Sequence, residues 1–328
     1  EELVDQPEIQ ATLMDTMGTV YTSLGLYDAA NSMVGKSVER RRSIFGDNHL
    51  AVAQSLNHLG EVQALRADYD AAEQNLRDAL AVRRELLGDA DAEVAETLVQ
   101  LAYVLTEKGE YESAEPLIRE SLEIRRNVHG ESHPDVADSL EDLGLNMYDQ
   151  GSYDESVALL RQAVAMRRNT QGDLHPDLAE AINNLAFVIR VAGTMEEAEA
   201  LWREALGMQR RLLGDEHPEI AINMSNVAFA LYAQGNYDEA ESIYREVIAL
   251  QRNVLGETHP AVAESLLALA FLLYDQGEAA AAITLIRQSL DIKRDFLGND
   301  QPDVSSSLNA IEMWSMEGGD FESAEPVL

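Results

Sequence analysis

The chain has 328 residues, and its 59 acidic against 24 basic side chains give a formal charge of 24 minus 59, or −35. Such an excess of carboxylates repels phosphate backbones and anionic lipid, which sets nucleic acid and membranes aside as partners. Cysteine is absent, excluding disulfides, thiolate metal sites and a cysteine nucleophile.

Hydrophobic residues make up 46% and aromatics only 6%, and Ala, Leu, Glu and Arg are prominent, so packed helices are expected rather than strands. Lysine occurs only as Lys36, Lys108 and Lys293, leaving 21 arginines. No run of apolar residues is long enough to span a membrane and no basic-then-apolar leader is visible, so a soluble, cytoplasmic chain is expected.

Along the chain one signal dominates. Gly46, Gly88, Gly130, Gly172, Gly214, Gly256 and Gly298 stand 42 residues apart. A variant of Gly-Asp/Glu-x-His-Pro-Asp/Glu-Val-Ala follows each, clearest from Gly130, Gly172, Gly214 and Gly256. A second punctuation, Gly-x-Tyr-Asp/Glu-x-Ala, recurs at Gly25, Ala67, Gly109, Gly151, Gly193, Gly235, Gly277 and Gly319. Two breaks per period mean two elements per repeat.

At the first break glycine closes one helix. Pro134, Pro176, Pro218, Pro260 and Pro302 then suit the first turn of the next, helix A, with an acid at its positive end. After the second break an acid such as Glu112, Asp154 or Glu196 opens helix B. Each helix should run about 15 to 18 residues, or roughly 25 Å.

The copies fall at about 7-45, 49-87, 91-129, 133-171, 175-213, 217-255 and 259-297, with an incomplete eighth at 301-328, read together as one array over 1-328. Within helix A the apolar positions keep helical spacing, as in Leu98, Leu101, Ala102 and Leu105. A small residue recurs there at Gly18, Gly60, Ala102, Gly144, Ala186, Ala228 and Ala270. Glycine inside a helix costs about 1 kcal/mol against alanine, so close approach by a neighbouring helix is expected at these points. Helix B carries its own small ladder, Ala72, Ala114, Ser156, Ala198, Ala240 and Ala282.

A period near 42 also fits propellers and HEAT or armadillo arrays. Propellers need strand alternation and a Trp-Asp pair, which are missing. The small-residue ladder followed by Gly-x-Tyr-Asp/Glu-x-Ala resembles the tetratricopeptide pattern more closely than HEAT. The longer helices and the junction Leu213 to Ala221, Leu-Gly-Asp-Glu-His-Pro-Glu-Ile-Ala, are similar to the kinesin light chain subclass, which is also common in bacterial proteins.

Asp5-Gln6-Pro7-Glu8-Ile9-Gln10-Ala11 and Met17-Gly18-Thr19-Val20-Tyr21 through Leu24-Gly25-Leu26-Tyr27 also resemble the start of repeat regions that follow the kinase domain in bacterial serine/threonine protein kinases. The tetratricopeptide resemblance covers essentially the whole chain. It implies an all-α fold, a right-handed superhelical solenoid of antiparallel helix pairs, and a scaffold that takes a partner peptide or helix along the surface lined by its A helices.

Solenoids normally end in a polar cap, whereas the segment Glu322-Ser323-Ala324-Glu325-Pro326 echoes Glu112 to Pro116 and is followed only by Val327 and Leu328. A fragment of a longer chain is therefore expected. No phosphate-cradling glycine loop, nucleophile elbow or kinase motif is found. The chain itself is not expected to be an enzyme or to need a cofactor. Any kinase activity would lie in residues outside it.

His133, His175, His217 and His259 occupy the same place in successive repeats, too far apart to share one metal. A junction role is expected for them, and no metal. The double arginines Arg41-Arg42, Arg83-Arg84, Arg125-Arg126 and Arg167-Arg168, continuing as Arg210-Arg211 and Lys293-Arg294, read as cations at the negative end of helix B, paired with surface acids.

On the helix A face expected to look into the groove stand Glu141, Asp142, Asn183, Asn184 and Asn226. Asparagines at these positions in tetratricopeptide proteins hold a bound peptide's backbone, since an amide both donates and accepts. Tyr103, Phe187, Phe229 and Phe271 run along the same face, with Tyr148, Tyr232 and Tyr274 one turn on. These twelve residues are the candidate groove. The aromatics could equally fill gaps between neighbouring A helices. The expected ligand is a protein segment, with Glu141, Asp142 and Asp275 favouring basic residues in it. A regulatory arm of a kinase and a self-associating spacer are the rival readings.

Overall fold

Helices begin and end where the two break signals stand. A computed structural model describes residues 6–297. Its A helices are α1 (Pro7–Ser23), α3 (Leu50–Leu65), α5 (Ala92–Glu107), α7 (Pro134–Asp149), α9 (Pro176–Ala192), α11 (Pro218–Ala233) and α13 (Pro260–Asp275). The B helices are α2 (Tyr27–Phe45), α4 (Tyr69–Leu87), α6 (Tyr111–His129), α8 (Tyr153–Gln171), α10 (Met195–Leu213), α12 (Tyr237–Leu255) and α14 (Ala279–Leu297). Among the described residues there is no strand, so the all-α expectation holds. Each B helix is 19 residues long, one longer than the upper estimate from spacing. The eighth copy, with Gly298, Pro302 and Gly319, lies outside the described residues.

Local chemistry explains the junctions. Gly130 closes α6 at φ 88°, a left-handed conformation that only glycine adopts without strain. The next helix is then capped by histidine. Nδ1 of His133, His175, His217 and His259 accepts the backbone N–H two residues on, at 3.2, 3.2, 3.3 and 3.2 Å. His49 does the same for Ala51, and Asp91 for Glu93. The histidine ladder is thus a set of helix N-caps, each satisfying an otherwise orphaned N–H. At the second break Ala67 takes φ 57° in the place where the other repeats use glycine.

Tertiary contacts divide the chain into two compact units, one ending at Gln171 and the other beginning at Gly172. Unit 1 holds α1 to α8, and unit 2 holds α9 to α14. Within each unit every A helix packs on its own B helix, and every B helix on the following A helix.

The small residue inside helix A marks where this pairing is tightest. A Cβ on Gly60 would lie 2.6 Å from Leu76 Cγ, and one on Gly144 would lie 2.8 Å from Leu160 Cγ. The close neighbour is therefore a leucine of the partner B helix. Ala72, Ala114, Ser156, Ala198, Ala240 and Ala282 are wholly buried on the facing side, and the Ser156 hydroxyl donates to the Gly144 carbonyl at 2.6 Å.

Candidate functional site

In unit 2, α9, α11 and α13 set the same positions side by side. Leu185, Ala186, Val227, Ala228, Leu269 and Ala270 face inward and are buried. The residues after them turn outward: Phe187, Phe229 and Phe271 are 41%, 36% and 43% exposed.

Arg190 joins two of them. Its guanidinium carbon sits 4.8 Å from the Phe187 ring centre and 5.7 Å from that of Phe229, within range for cation–π attraction. Its Nε has no hydrogen-bond partner among the described residues. Arg190 occupies the place held by Tyr148, Tyr232 and Tyr274 in other repeats, a departure from the pattern that could have been found by register alone.

Asn183 and Asn184 on α9 and Asn226 on α11 are each partly exposed. The Asn183 Oδ1 is buried without a hydrogen bond, and Asn183 lines a cavity of about 430 Å³ with Glu180, Gln209, Ile222 and Asn223. Tyr232 is held differently. Its ring packs 5.9 Å from Tyr237, and its hydroxyl donates to the Asp275 carboxylate. Burial and that carboxylate push the phenol up to about 12. Tyr274 lies partly exposed on α13.

In unit 1 the matching face carries no such row. Tyr103 of α5 is 49% exposed, but the next repeat has a half-buried Leu145 at its position and the preceding one Glu61. Tyr148 of α7 packs 5.5 Å from Tyr153.

The two neighbouring acids of α7 part ways. Glu141 is buried and accepts from Arg167 Nε and its terminal amino group at 3.2 and 3.0 Å, so it is withdrawn from the outward face. Asp142 lines a cavity of about 330 Å³ with Glu61, Gln100, Tyr103 and apolar Leu65 and Leu76. Burial pushes its carboxyl up to about 7, with Glu141 and Asp138 adding to the shift against the opposing pull of Arg125 and Arg167. Gln100 Oε1, at the border of this cavity, is buried without a hydrogen bond.

The arginine pairs split likewise. The position of Arg42 carries the expected surface cations: Arg42, Arg84 and Arg126, with Arg210 and Arg252 in the same register, meet an acid just past the break, as in Arg42 with Asp47 at 3.0 Å. The position before them faces inward. Arg41 and Arg83 are buried because their side of helix B faces the next A helix, and Arg167 is buried against Asp138 and Glu141 of the A helix in its own repeat. Arg83 donates to the Glu93 carbonyl at 2.8 Å and Thr97 Oγ1 at 2.6 Å. Arg41 repeats this with the Ala51 carbonyl and Ser55, and Arg125 with the Asp135 carbonyl and Ser139. They staple one repeat to the next.

No helix among the described residues is long and apolar enough to cross a membrane.

Comparison with known proteins agrees with this architecture. The tetratricopeptide repeat family matches residues 8–85, 93–169, 177–251 and 219–295, and a second model of the same description matches 132–212. No curated protein matches. Among solved structures, a putative kinesin light chain from Podosopora anserina with nearly identical repeats is 25% identical, with a TM-score of 0.58, over 62% of this chain and 96% of that one. BtubC (BKLC) from P. vanneervenii is 19% identical at a TM-score of 0.59, over 71% and 91% of the two chains. The Rap conjugation gene regulator of plasmid pLS20, solved with a Phr peptide, is 17% identical at 0.55, over 98% and 93%. The period, the capped helix pairs and the family match over most of its length agree: the chain belongs to the tetratricopeptide repeat family, with kinesin light chain-like repeats among its structural neighbours.

Proposed function

We propose that the outward faces of the A helices capture segments of partner protein, those of α9, α11 and α13 in unit 2 and those of α5 and α7 in unit 1. The observation that carries this reading is the open row Phe187, Phe229 and Phe271, with Arg190 poised over two of the rings. Exposed aromatics backed by a rigid helical layer are the residues that anchor binding. Asn183, Asn184 and Asn226 hold the segment's backbone, the unpaired Asn183 Oδ1 taking an N–H from it. Tyr232 and Tyr274 extend the row.

In unit 1 the Asp142 cavity receives a lysine or arginine side chain. Glu61, Asp142 and Gln100 Oε1 supply acceptors, and Tyr103 supplies a ring face. Glu141 and Asp275 take no part, because Arg167 and Tyr232 already occupy them. A scaffold of this kind catalyses nothing and takes no cofactor.

The test is a pull-down that compares wild type with the combined variant Asn184→Ala, Asn226→Ala, Phe229→Ala. Circular dichroism must first show the variant to be folded. Loss of the captured proteins is expected. A folded variant that retains every partner would show the groove to be elsewhere.

A further inference from the structure

In unit 2 one B helix has lost its inward cation and kept the acceptors that surround it. Gln209 of α10 stands in the register of Arg41, Arg83, Arg125 and Arg167. Glu180 and Asn183 of α9 stand in that of Asp138 and Glu141, the acids that hold Arg167 at 2.8 and 3.0 Å. Glu219 of α11 stands in that of Glu93, which meets Arg83 at 3.3 Å. Gln209, Glu180, Asn183 and Glu219 all line the cavity of about 430 Å³ between α9, α10 and α11.

The missing guanidinium accounts for this space. Gln209 is shorter than arginine and uncharged, and its Oε1 accepts from Asn223 Nδ2, which also donates to the Glu219 carbonyl at 3.1 Å. The matching carbonyls of Ala51, Glu93 and Asp135 each receive an arginine. Neither the Glu180 nor the Glu219 carboxylate has an ion-pair partner among the described residues, Arg210 being turned to Asp215 at 3.4 Å. Asn183 Oδ1 is buried without a hydrogen bond. The next repeat shows the other way to lose the cation. Around Gln251 the matching places carry Ile222, Ser225 and Ala261, and the acid that remains, Glu264, meets Lys293 at 3.0 Å.

Given capture of a segment along these A helices, on which the assignment rests, we propose that the cavity takes the guanidinium of an arginine in that segment. The partner then supplies the staple that this junction lacks. The cavity lies beside the aromatic row. Asn183 is one turn before Phe187 on α9, and Ile222, 59% exposed, is two turns before Phe229 on α11. Ile222, Leu212 and Leu213 give the wall on which the arginine methylenes pack. Glu180 and Glu219 accept from the charged fork. Asn183 Oδ1 has two lone pairs, one for the guanidinium and one for a backbone N–H of the segment. Arginine suits the site better than lysine because a planar fork reaches several fixed acceptors at once, as Arg83 does with the Glu93 carbonyl and Thr97.

Full-length, isotope-labelled chain is titrated at constant ionic strength with N-acetyl-arginine amide while the side-chain amide signals of Asn183 and Asn223 are followed by NMR. The uncharged N-acetyl-citrulline amide and N-acetyl-lysine amide are the controls. Saturable shifts are expected with the arginine compound, and binding weaker by about tenfold or more with the other two. Gln209→Arg, which fills the cavity from within, and the double variant Glu180→Gln, Glu219→Gln should each weaken arginine binding to the same degree. No saturable shift in wild type, equal binding of the lysine compound, or undiminished binding by the double variant overturns the assignment. The probe needs no partner, so the two readings can fail separately. If it binds while the folded triple variant in the pull-down keeps its partners, the cavity stands and the groove falls. If it does not bind while the triple variant loses its partners, the groove stands and the cavity assignment falls.

Discussion

Units 1 and 2 repeat one backbone plan with two chemistries. In unit 1 the inward position late in helix B is arginine at every copy, Arg41, Arg83, Arg125 and Arg167, and the small residue of helix A is usually glycine. In unit 2 the same places carry Gln209, Gln251 and Lys293, and alanine at 186, 228 and 270. The outward faces differ in step, polar around Asp142 in the first and aromatic in the second. The register of the repeat specifies the fold, and departures from it are where each unit acquires its own stability and surface chemistry.

The largest effect expected from this contrast is at the staples. Arg83→Ala strips a buried cation from the Glu93 carbonyl, Thr97 and Asn57, and should cost about 3 kcal/mol. Gln251→Ala, buried with its Oε1 unpaired, should cost about 1 kcal/mol. Urea unfolding of both variants compares them, and equal losses would erase the distinction.

Next come the glycines. Gly60→Ala forces a Cβ to 2.6 Å from Leu76 Cγ and 3.2 Å from the Ala72 carbonyl, and overpacking of this kind should cost about 2 kcal/mol despite the better helix propensity. Ala228→Gly in unit 2 should lose only about 1 kcal/mol. A stabilised Gly60→Ala would mean that the helices are not as close as the structure has them.

The smallest effect is specific to pH. Burial raises the folded-state pKa of Asp142 to about 7, above its unfolded value of about 3.9. The folded form therefore binds the proton more tightly, and this group's contribution falls as pH rises from about 4 to about 7. Asp142→Asn removes that loss. Relative to wild type the variant should gain stability from about pH 4 to about pH 7 in thermal melts, and a constant difference across that range would place Asp142 in water.

Most of the fold was legible in the sequence because a period of 42 repeats many independent signals in register. The break glycines, the capping histidines and the paired helices all follow from local backbone chemistry. Contacts between helices were less legible. Spacing shows which side of its own helix Arg83 occupies but not that the following A helix covers it, so a buried staple read as a surface pair. The Tyr232 to Asp275 bond joins residues one repeat and one position apart, and nothing in either helix alone announces it. Arg190 stands where Tyr148, Tyr232 and Tyr274 stand in other copies, a departure visible once the repeats are set in register. Of the candidate groove, the exposure of Phe187, Phe229 and Phe271 could be placed by period, whereas the burial of Glu141 depended on Arg167 from the neighbouring helix.

The central claim is that partners are held on the outward faces of the A helices. Hydrogen exchange of the chain with and without a captured partner tests it most directly. Slowed exchange is predicted in α9, α11 and α13, and in the segments of α5 and α7 around Tyr103 and Asp142, with the B helices unchanged. Protection confined to B helices such as α10 and α12 would contradict the account.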